Sequence, residues 1–176
     1  MLERTVSSEI NRTYKVVKAA FARKDCKITF EKPPQQILIK QGSLWGTTPK
    51  TAKKIVEVNL VSVDSETHLT CSSHLSSDWK NITLIGCFLA AVLVGLCLWM
   101  SFDISAFILT RKPSFWSWII TRNGNVDLQV GQAFENLTKI LAAFLSVIIL
   151  LEIAITVYVS PRIDRFAEEI LNSLSV

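Results

Sequence analysis

The sequence predicts an α+β head, a hairpin of two transmembrane helices and a C-terminal amphipathic helix. Two observations carry the hairpin: residues 81–102 have no formal charge, and residues 140–161 have only one. A helix rises about 1.5 Å per residue, so each stretch covers roughly 30 Å, the thickness of a hydrocarbon core. Two helices buried in a soluble domain are disfavoured, because the remaining chain is too short and too polar to cover them.

The head, residues 1–80, is predicted to place one helix on a small antiparallel sheet, in the order β-α-β-β-β-β. Apolar residues at helical spacing mark the helix: Ile10, Tyr14, Val17 and Phe21. Alternating apolar residues and turns at Pro33-Pro34 and Asp64-Ser65 mark the strands, which are Leu2–Val6, Lys27–Lys32, Gln36–Gln41, Lys54–Val63 and Glu66–Ser73. The helix is expected to bury the inward side chains Ile28, Phe30, Ile37 and Ile39.

The head is basic, with 13 basic and 8 acidic residues and a net charge of +5. Its helix either packs on the sheet, which we favour because the sheet has no other cover, or lies on anionic lipid headgroups. No zinc-finger spacing, helix-turn-helix pattern or aromatic RNA-binding signature occurs, so nucleic acid is not an expected partner.

The residue types that catalysis or metal binding needs are not grouped in the head. His68, Cys71 and His74 are three apart, and on a strand such positions point to opposite faces, so no metal site is expected. The loop from Gly42 to Gly46 lacks phosphate-loop spacing and is predicted to hold a half-buried Trp45. The sequence therefore predicts a non-enzymatic protein without a cofactor.

The first predicted span, residues 81–102, contains a pair of small residues that favours helix packing. Gly86 and Ala90 are four residues apart, a spacing that lets another helix approach closely. Such pairs are common in apolar sequence, so chance is the alternative explanation of this one.

Tryptophans mark the far end of the first span and the connection, residues 103–139. Trp99 lies where an indole suits the membrane interface. Trp116 and Trp118 lie in an apolar segment that is too short to cross the bilayer, which predicts a patch lying in the interface. All three are candidate interfacial anchors.

Glu152 is the one charged residue of the second predicted span, residues 140–160. A charged side chain near the bilayer centre costs about 2.5–3.5 kcal/mol on insertion scales. The first span offers no Lys, Arg or His, so Glu152 is expected to be protonated, to reach water or to meet a polar group of another chain. Two interpretations stay open: an ion, proton or intersubunit site, or a protonated side chain bonded to a local group such as Thr156.

The C-terminal segment, residues 161–176, is predicted to form an amphipathic helix with Pro161 at its start. Its apolar stripe is Ile163, Phe166, Ile170, Leu171 and Leu174. The membrane surface, the head and a protein partner are each compatible with this stripe. The basic head and the lack of an apolar leader predict that both termini are cytoplasmic.

Two functions of different classes fit this organisation. The first is a non-catalytic subunit or adaptor that presents the cytoplasmic α+β head at the membrane to a protein partner or to the membrane surface. The alternative is an oligomeric channel or transport subunit with Glu152 at a shared axis. The expected partners are therefore the lipid bilayer and a protein partner or further copies of the chain.

Overall fold

The computed structural model describes residues 2–24, 26–64, 66–122 and 124–173. The chain divides into two compact units, of which the first joins Met1–Ile82 to Ala154–Val176 and the second is Thr83–Ile153. The first unit contains a five-stranded antiparallel sheet with helices, so the α+β prediction is confirmed. Two long apolar helices are also present, as predicted.

The sheet has the strand order β1-β5-β4-β3-β2, and every neighbouring pair is antiparallel. Its strands are β1 (Leu2–Val6), β2 (Lys27–Lys32), β3 (Gln36–Gln41), β4 (Lys54–Val63) and β5 (Glu66–Leu75). Side chains alternate between the two faces, and the apolar set lies on one of them. The sheet is therefore one-sided and needs a helical layer on its apolar face.

Two helices supply that layer: α1 (Ile10–Ala22), which follows β1, and the C-terminal α4 (Arg165–Asn172). They share one core, made of Tyr14, Val17, Phe21, Ile37, Ile39, Val56, Val58, Leu60, Leu69, Cys71, Phe166, Ala167, Ile170 and Leu171. The prediction that α1 packs on the sheet is confirmed. Of the three surfaces open to the C-terminal helix, the head is the one it covers; Leu174 of its predicted stripe lies outside the described residues.

Phe30 does not point into this core, so that prediction is wrong. Ile28 lies opposite the fully buried Ile39, but the pairing register shifts between Ile28 and Phe30. The shift is a β-bulge, which turns the following side chain to the opposite face of the sheet. Phe30 is consequently 52% exposed and lies opposite Leu38.

The two long helices are α2 (Ser77–Thr110) and α3 (Leu128–Val159), and a short 3₁₀ turn, Ser160–Arg162, follows α3. With 34 and 32 residues they are about 51 and 48 Å long, longer than the predicted spans. In the most apolar 18-residue window of each helix, only 6% of the residues are buried. Helices at the centre of a soluble domain are mostly buried, so these two lack that property.

A small folded end joins α2 to α3 in the second unit. It contains a 3₁₀ turn, Ser117–Ile119, and the two-residue strands β6 (Thr121–Arg122) and β7 (Asn125–Val126). Ile104, Phe107 and Ile120 form its buried core. The dipeptide Asn123-Gly124 is typical of a turn, but Asn123, like Ser65 of the turn predicted between β4 and β5, lies outside the described residues.

Lys54 begins β4 and is fully buried on the face that α4 covers. Its Nζ donates to the carbonyl oxygens of Pro49 at 2.5 Å and Lys50 at 3.1 Å, and lies 4.6 Å from the centre of the Phe166 ring. Burial lowers the pKa of Lys54 to about 8, because the charged form loses hydration. This side chain ties the loop before β4 and the helix α4 to the sheet.

Lys54 should make the head more stable as the pH rises from about 8 to about 10.5. In that range the unfolded chain still binds the proton whereas the folded head has released it, so the free energy of unfolding increases with pH. One pKa unit corresponds to about 1.4 kcal/mol, so the increase from this group is on the order of 3 kcal/mol. Denaturant unfolding of the wild type and of Lys54→Met across this range measures it, and equal slopes in the two proteins would contradict the expectation.

Candidate functional site

Within the second unit, α2 and α3 carry matching stripes of less exposed residues at steps of three and four. The stripe on α2 is Thr83, Cys87, Ala90, Val94, Cys97, Ser101 and Ile104, and that on α3 is Gly131, Glu135, Thr138, Ala142, Leu145, Ile149 and Glu152. Such steps keep a stripe on one side of each helix and are typical of a left-handed helix pair. We call these two stripes the seam.

Contacts between α2 and α3 fix the register of the seam. A Cβ added at Gly131 would lie 3.0 Å from Cδ1 of Ile108, so the glycine permits a close approach. One turn further along α3, Ser105 hydrogen-bonds the carboxylate of Glu135, which also pairs with Lys139 at 2.5 Å. Each step forward along α3 therefore corresponds to a step backward along α2.

Glu152 lies in the seam and is half-buried. Continuing the antiparallel register places it near the level of Cys87, one turn from Ala90. The neighbouring seam position on α2 toward its start is Thr83, so small and polar side chains line this part of the pair. Glu152 thus lies on the side of α3 that carries the seam.

The two small residues proposed for helix packing have different positions. Ala90 is half-buried in the seam. Gly86 is exposed, and nothing lies within 4 Å of a Cβ added there. Ala90 therefore lies within the pair inside this chain, and the packing of another helix at Gly86 stays a prediction.

The three tryptophans predicted as interfacial anchors meet in one aromatic cluster, which Phe115 completes. Ring centres of Trp99 and Phe115 are 5.3 Å apart, those of Trp99 and Trp116 5.5 Å, and those of Phe115 and Trp116 4.9 Å. Trp118 joins through Trp116 at 6.5 Å. Such rings combine apolar area with polar edges, which suits a membrane–water boundary.

Asp103 holds the segment that carries this cluster. Its Oδ2 accepts a hydrogen bond of 2.8 Å from the backbone N–H of Trp116, and its backbone carbonyl accepts one from the Ser114 hydroxyl. Trp118 and Phe115 remain 67% and 64% exposed. The sequence pointed to Asp103 only as the charge that ends the first apolar stretch, and its role depends on a loop that folds back onto α2.

The residues with metal-ligand chemistry do not converge. Cys71 is buried in the head core, and burial raises the pKa of its thiol to about 12, whereas His68 and His74 are exposed on the opposite face of β5. Among the residues that the structure describes, no group of three or more His, Cys, Asp or Glu side chains could hold a metal ion.

Trp45 is 84% exposed, so the prediction of a half-buried side chain is wrong. The adjacent Leu44 takes the inward position and packs against a cluster that includes Trp79 and Val159. Two neighbouring side chains of an extended loop point in opposite directions, and the sequence does not say which one faces inward.

Comparison with known proteins adds no functional assignment. No model of a protein family matches the chain. No curated protein matches it significantly either. The function has to be inferred from the fold and from the residues described above.

Proposed function

We propose that this protein crosses the membrane twice, through α2 and α3, and acts as a non-catalytic subunit or adaptor. Its α+β head is presented at one membrane surface to a protein partner. The observation that carries the proposal is that the first unit joins an N-terminal and a C-terminal segment, which share one core.

The shared core supports an even number of crossings. Phe166, Ile170 and Leu171 of α4 pack with Tyr14 and the other core residues of the head. Three polar contacts join the same parts: Asp164 accepts from the backbone N–H of Ser73 at 3.0 Å, Lys50 pairs with Glu169 at 2.7 Å, and Arg4 donates to the carbonyl of Leu171. A membrane crossed between Leu75 and Phe166 must therefore be crossed back.

The surface of the long helices supports lipid as their surroundings. Large apolar side chains on both are exposed, including Leu84, Phe88, Ile140, Phe144 and Leu150. Soluble proteins rarely expose so many large apolar side chains along one helix pair. Trp99 is twenty positions after Trp79 on α2, which corresponds to about 30 Å of helix and matches the hydrocarbon thickness.

We place the head in the cytoplasm because its charge favours that side. It contains 13 of the 19 basic residues, and all of them would have to be translocated in the opposite orientation. Cys71 is kept as a buried thiol, which is compatible with a reducing compartment.

The sheet face opposite α1 and α4 is the surface we propose for a protein partner. Phe30 and Val61 are 52% and 57% exposed among charged and polar residues of that face, including Lys40 and His74. Interface centres are typically aromatic or apolar with a polar rim.

Purification in native lipid followed by mass measurement tests the adaptor proposal. We expect a second chain to co-purify in a fixed molar ratio. Phe30→Lys should release that chain. Lys24→Ala, on the side of the head that carries the helices, should retain it. Phe30 is half-exposed, so the substitution should leave the head folded. A wild-type monomer with nothing bound would contradict the proposal.

A second candidate function rests on Glu152, which lies half-buried between the helices. In an oligomer whose subunits pack beside this helix pair, the carboxyl groups would surround a common axis and could bind a cation or proton. Cys87 and Ala90, near the same level of the seam, have small side chains.

Glu152→Gln separates the two functions, because it replaces the carboxyl group by an amide with almost no change in shape. The adaptor should keep its partner ratio and its thermal stability, with a change in unfolding free energy below about 1 kcal/mol. A channel or transporter should lose flux or ion selectivity in liposomes. Ser146→Ala, a small polar change on the same helix, is the control. Loss of flux together with unchanged assembly would favour the channel.

A further inference from the structure

Residues 42–53 form a loop whose backbone is held closely at both ends. Ser43 N–H donates to the Thr51 carbonyl at 2.8 Å, and Lys53 N–H donates to the Ser43 carbonyl at 3.0 Å. The hydroxyls of Thr48 and Thr51 are 2.7 Å apart. Together with the Lys54 contacts described above, these bonds give the loop a defined shape. We call it the Trp45 loop.

Two glycines allow the loop to close on itself. Gly42 has a φ of +91°, a conformation that L side chains rarely adopt. A Cβ at Gly46 would lie 2.0 Å from the carbonyl oxygen of Thr51, so no side chain fits there. The loop is built around these positions, yet Trp45, the largest side chain between them, is 84% exposed.

The Trp45 loop lies where the long helices begin and end in the first unit. The indole Nε1 of Trp79, in the first turn of α2, donates to the Gly46 carbonyl at 3.1 Å. Leu44 packs on a cluster that contains Trp79 at the start of α2, Val159 at the end of α3 and Ile163 just after the following 3₁₀ turn. Trp45 is thus fixed beside the points at which both proposed spans leave the head.

The surrounding charges also suit a membrane surface. Lys53 pairs with Asp78 at 2.7 Å, in the first turn of α2. Lys80 follows on the same turn and is exposed, and Arg162 lies 4.8 Å from the Tyr158 ring at the end of α3. Tryptophan, tyrosine and basic residues together at the end of a span are typical of the headgroup region.

We infer that Trp45 inserts its indole into the lipid headgroup region and so holds the head against the bilayer. The inference rests on the proposed membrane-spanning role of α2 and α3. A lipid surface fits better than a protein pocket, because Trp45 extends from a loop beside two span ends. The indole offers an apolar ring to the acyl boundary and an N–H to lipid carbonyls or water.

Depth-dependent fluorescence quenching tests the inference on the full chain. The protein is reconstituted in vesicles of phosphatidylcholine and phosphatidylglycerol that carry nitroxides either near the headgroup or deep in the acyl chains. The emission spectrum of the Trp45→Phe variant is subtracted from that of the wild type. The difference spectrum reports Trp45 alone. We expect this emission to be blue-shifted from that of water-exposed tryptophan, quenched more by shallow than by deep nitroxides, and protected from aqueous iodide.

Each other outcome overturns the inference in a recognisable way. If iodide quenches the difference emission and nitroxide lipids do not, Trp45 faces water, while quenching of the remaining tryptophans still supports the membrane spans. If neither quencher acts on it, a protein surface covers Trp45. If nitroxide lipids quench no tryptophan at all, the proposed spans fail together with the anchor. In Trp45→Tyr the head should stay against the bilayer, because tyrosine also suits the interface. In Trp45→Ser the head should no longer be held there.

Discussion

Phe166→Ala should destabilise the head by about 3–5 kcal/mol, the usual cost of removing a buried aromatic ring from a core. Phe166 is 8% exposed, packs in the core that α1, α4 and the sheet share, and covers the buried ammonium group of Lys54. The substitution leaves a cavity and removes the ring from beside that charge. It therefore tests whether the C-terminal helix is part of the head.

The thiol of Cys71 provides the readout, since it is fully buried in the same core. The rate at which Cys71 is alkylated in mild detergent is measured from the masses of its peptides. A loss of 1.4 kcal/mol corresponds to a factor of ten, so the expected destabilisation should make this rate about 100-fold to several thousand-fold higher in the variant. Glu168→Ala changes an exposed residue of α4 and should leave the rate unchanged. Equal rates in Phe166→Ala and wild type would show that α4 does not close the core.

Leu93→Arg should reduce membrane integration about 100-fold in the insertion equilibrium, because a central arginine costs about 2.5–3.5 kcal/mol on insertion scales. Leu93 lies in the uncharged part of α2, outside the seam, and is 49% exposed. In a helix facing water the same substitution would be neutral or would increase solubility. Only a lipid environment therefore predicts a loss of membrane integration.

The fraction of protein that resists alkaline extraction from membranes measures this effect. Leu93→Ile preserves the apolar surface and should integrate like the wild type. Val63→Arg places the same charge on an exposed position of the head and should also have no effect. An unchanged membrane fraction for Leu93→Arg would contradict the proposed role of α2.

The head could be predicted largely from local sequence pattern. The bounds of β2, β3 and β4 follow from alternation and from turn residues such as Pro33 and Asp64, all of which act over a few positions. β5 ends at Leu75, two residues beyond the prediction, because Leu75 pairs with Lys54 across the sheet. That pairing is long-range and leaves no trace in the strand's own composition.

Other features depend on tertiary contacts and could not be predicted. The bulge that turns Phe30 outward interrupts an otherwise regular alternation. Lys54 occupies a position that the strand pattern makes inward, yet its burial depends on carbonyls of the preceding loop and on Phe166. The glycines that flank Trp45 were the available signal for a tightly built loop, but they do not say whether the indole faces inward.

The candidate site was predicted residue by residue but not as an arrangement. Trp99, Trp116 and Trp118 were expected at an interface, and the fold of the connection brings them together with Phe115. Glu152 was recognised from its charge, whereas its position in a seam with Cys87 follows from the register of two helices.

Because the core of the head is shared, the head cannot finish folding until α4 has been synthesised. A ribosome adds about 5–20 residues per second, so roughly 5–20 s pass between synthesis of Leu75 and of Phe166. During that interval α1 and the sheet exist without the helix that completes their packing. Until α4 leaves the exit tunnel, α1 alone covers the apolar face of the sheet, so the nascent head is open to aggregation throughout that interval.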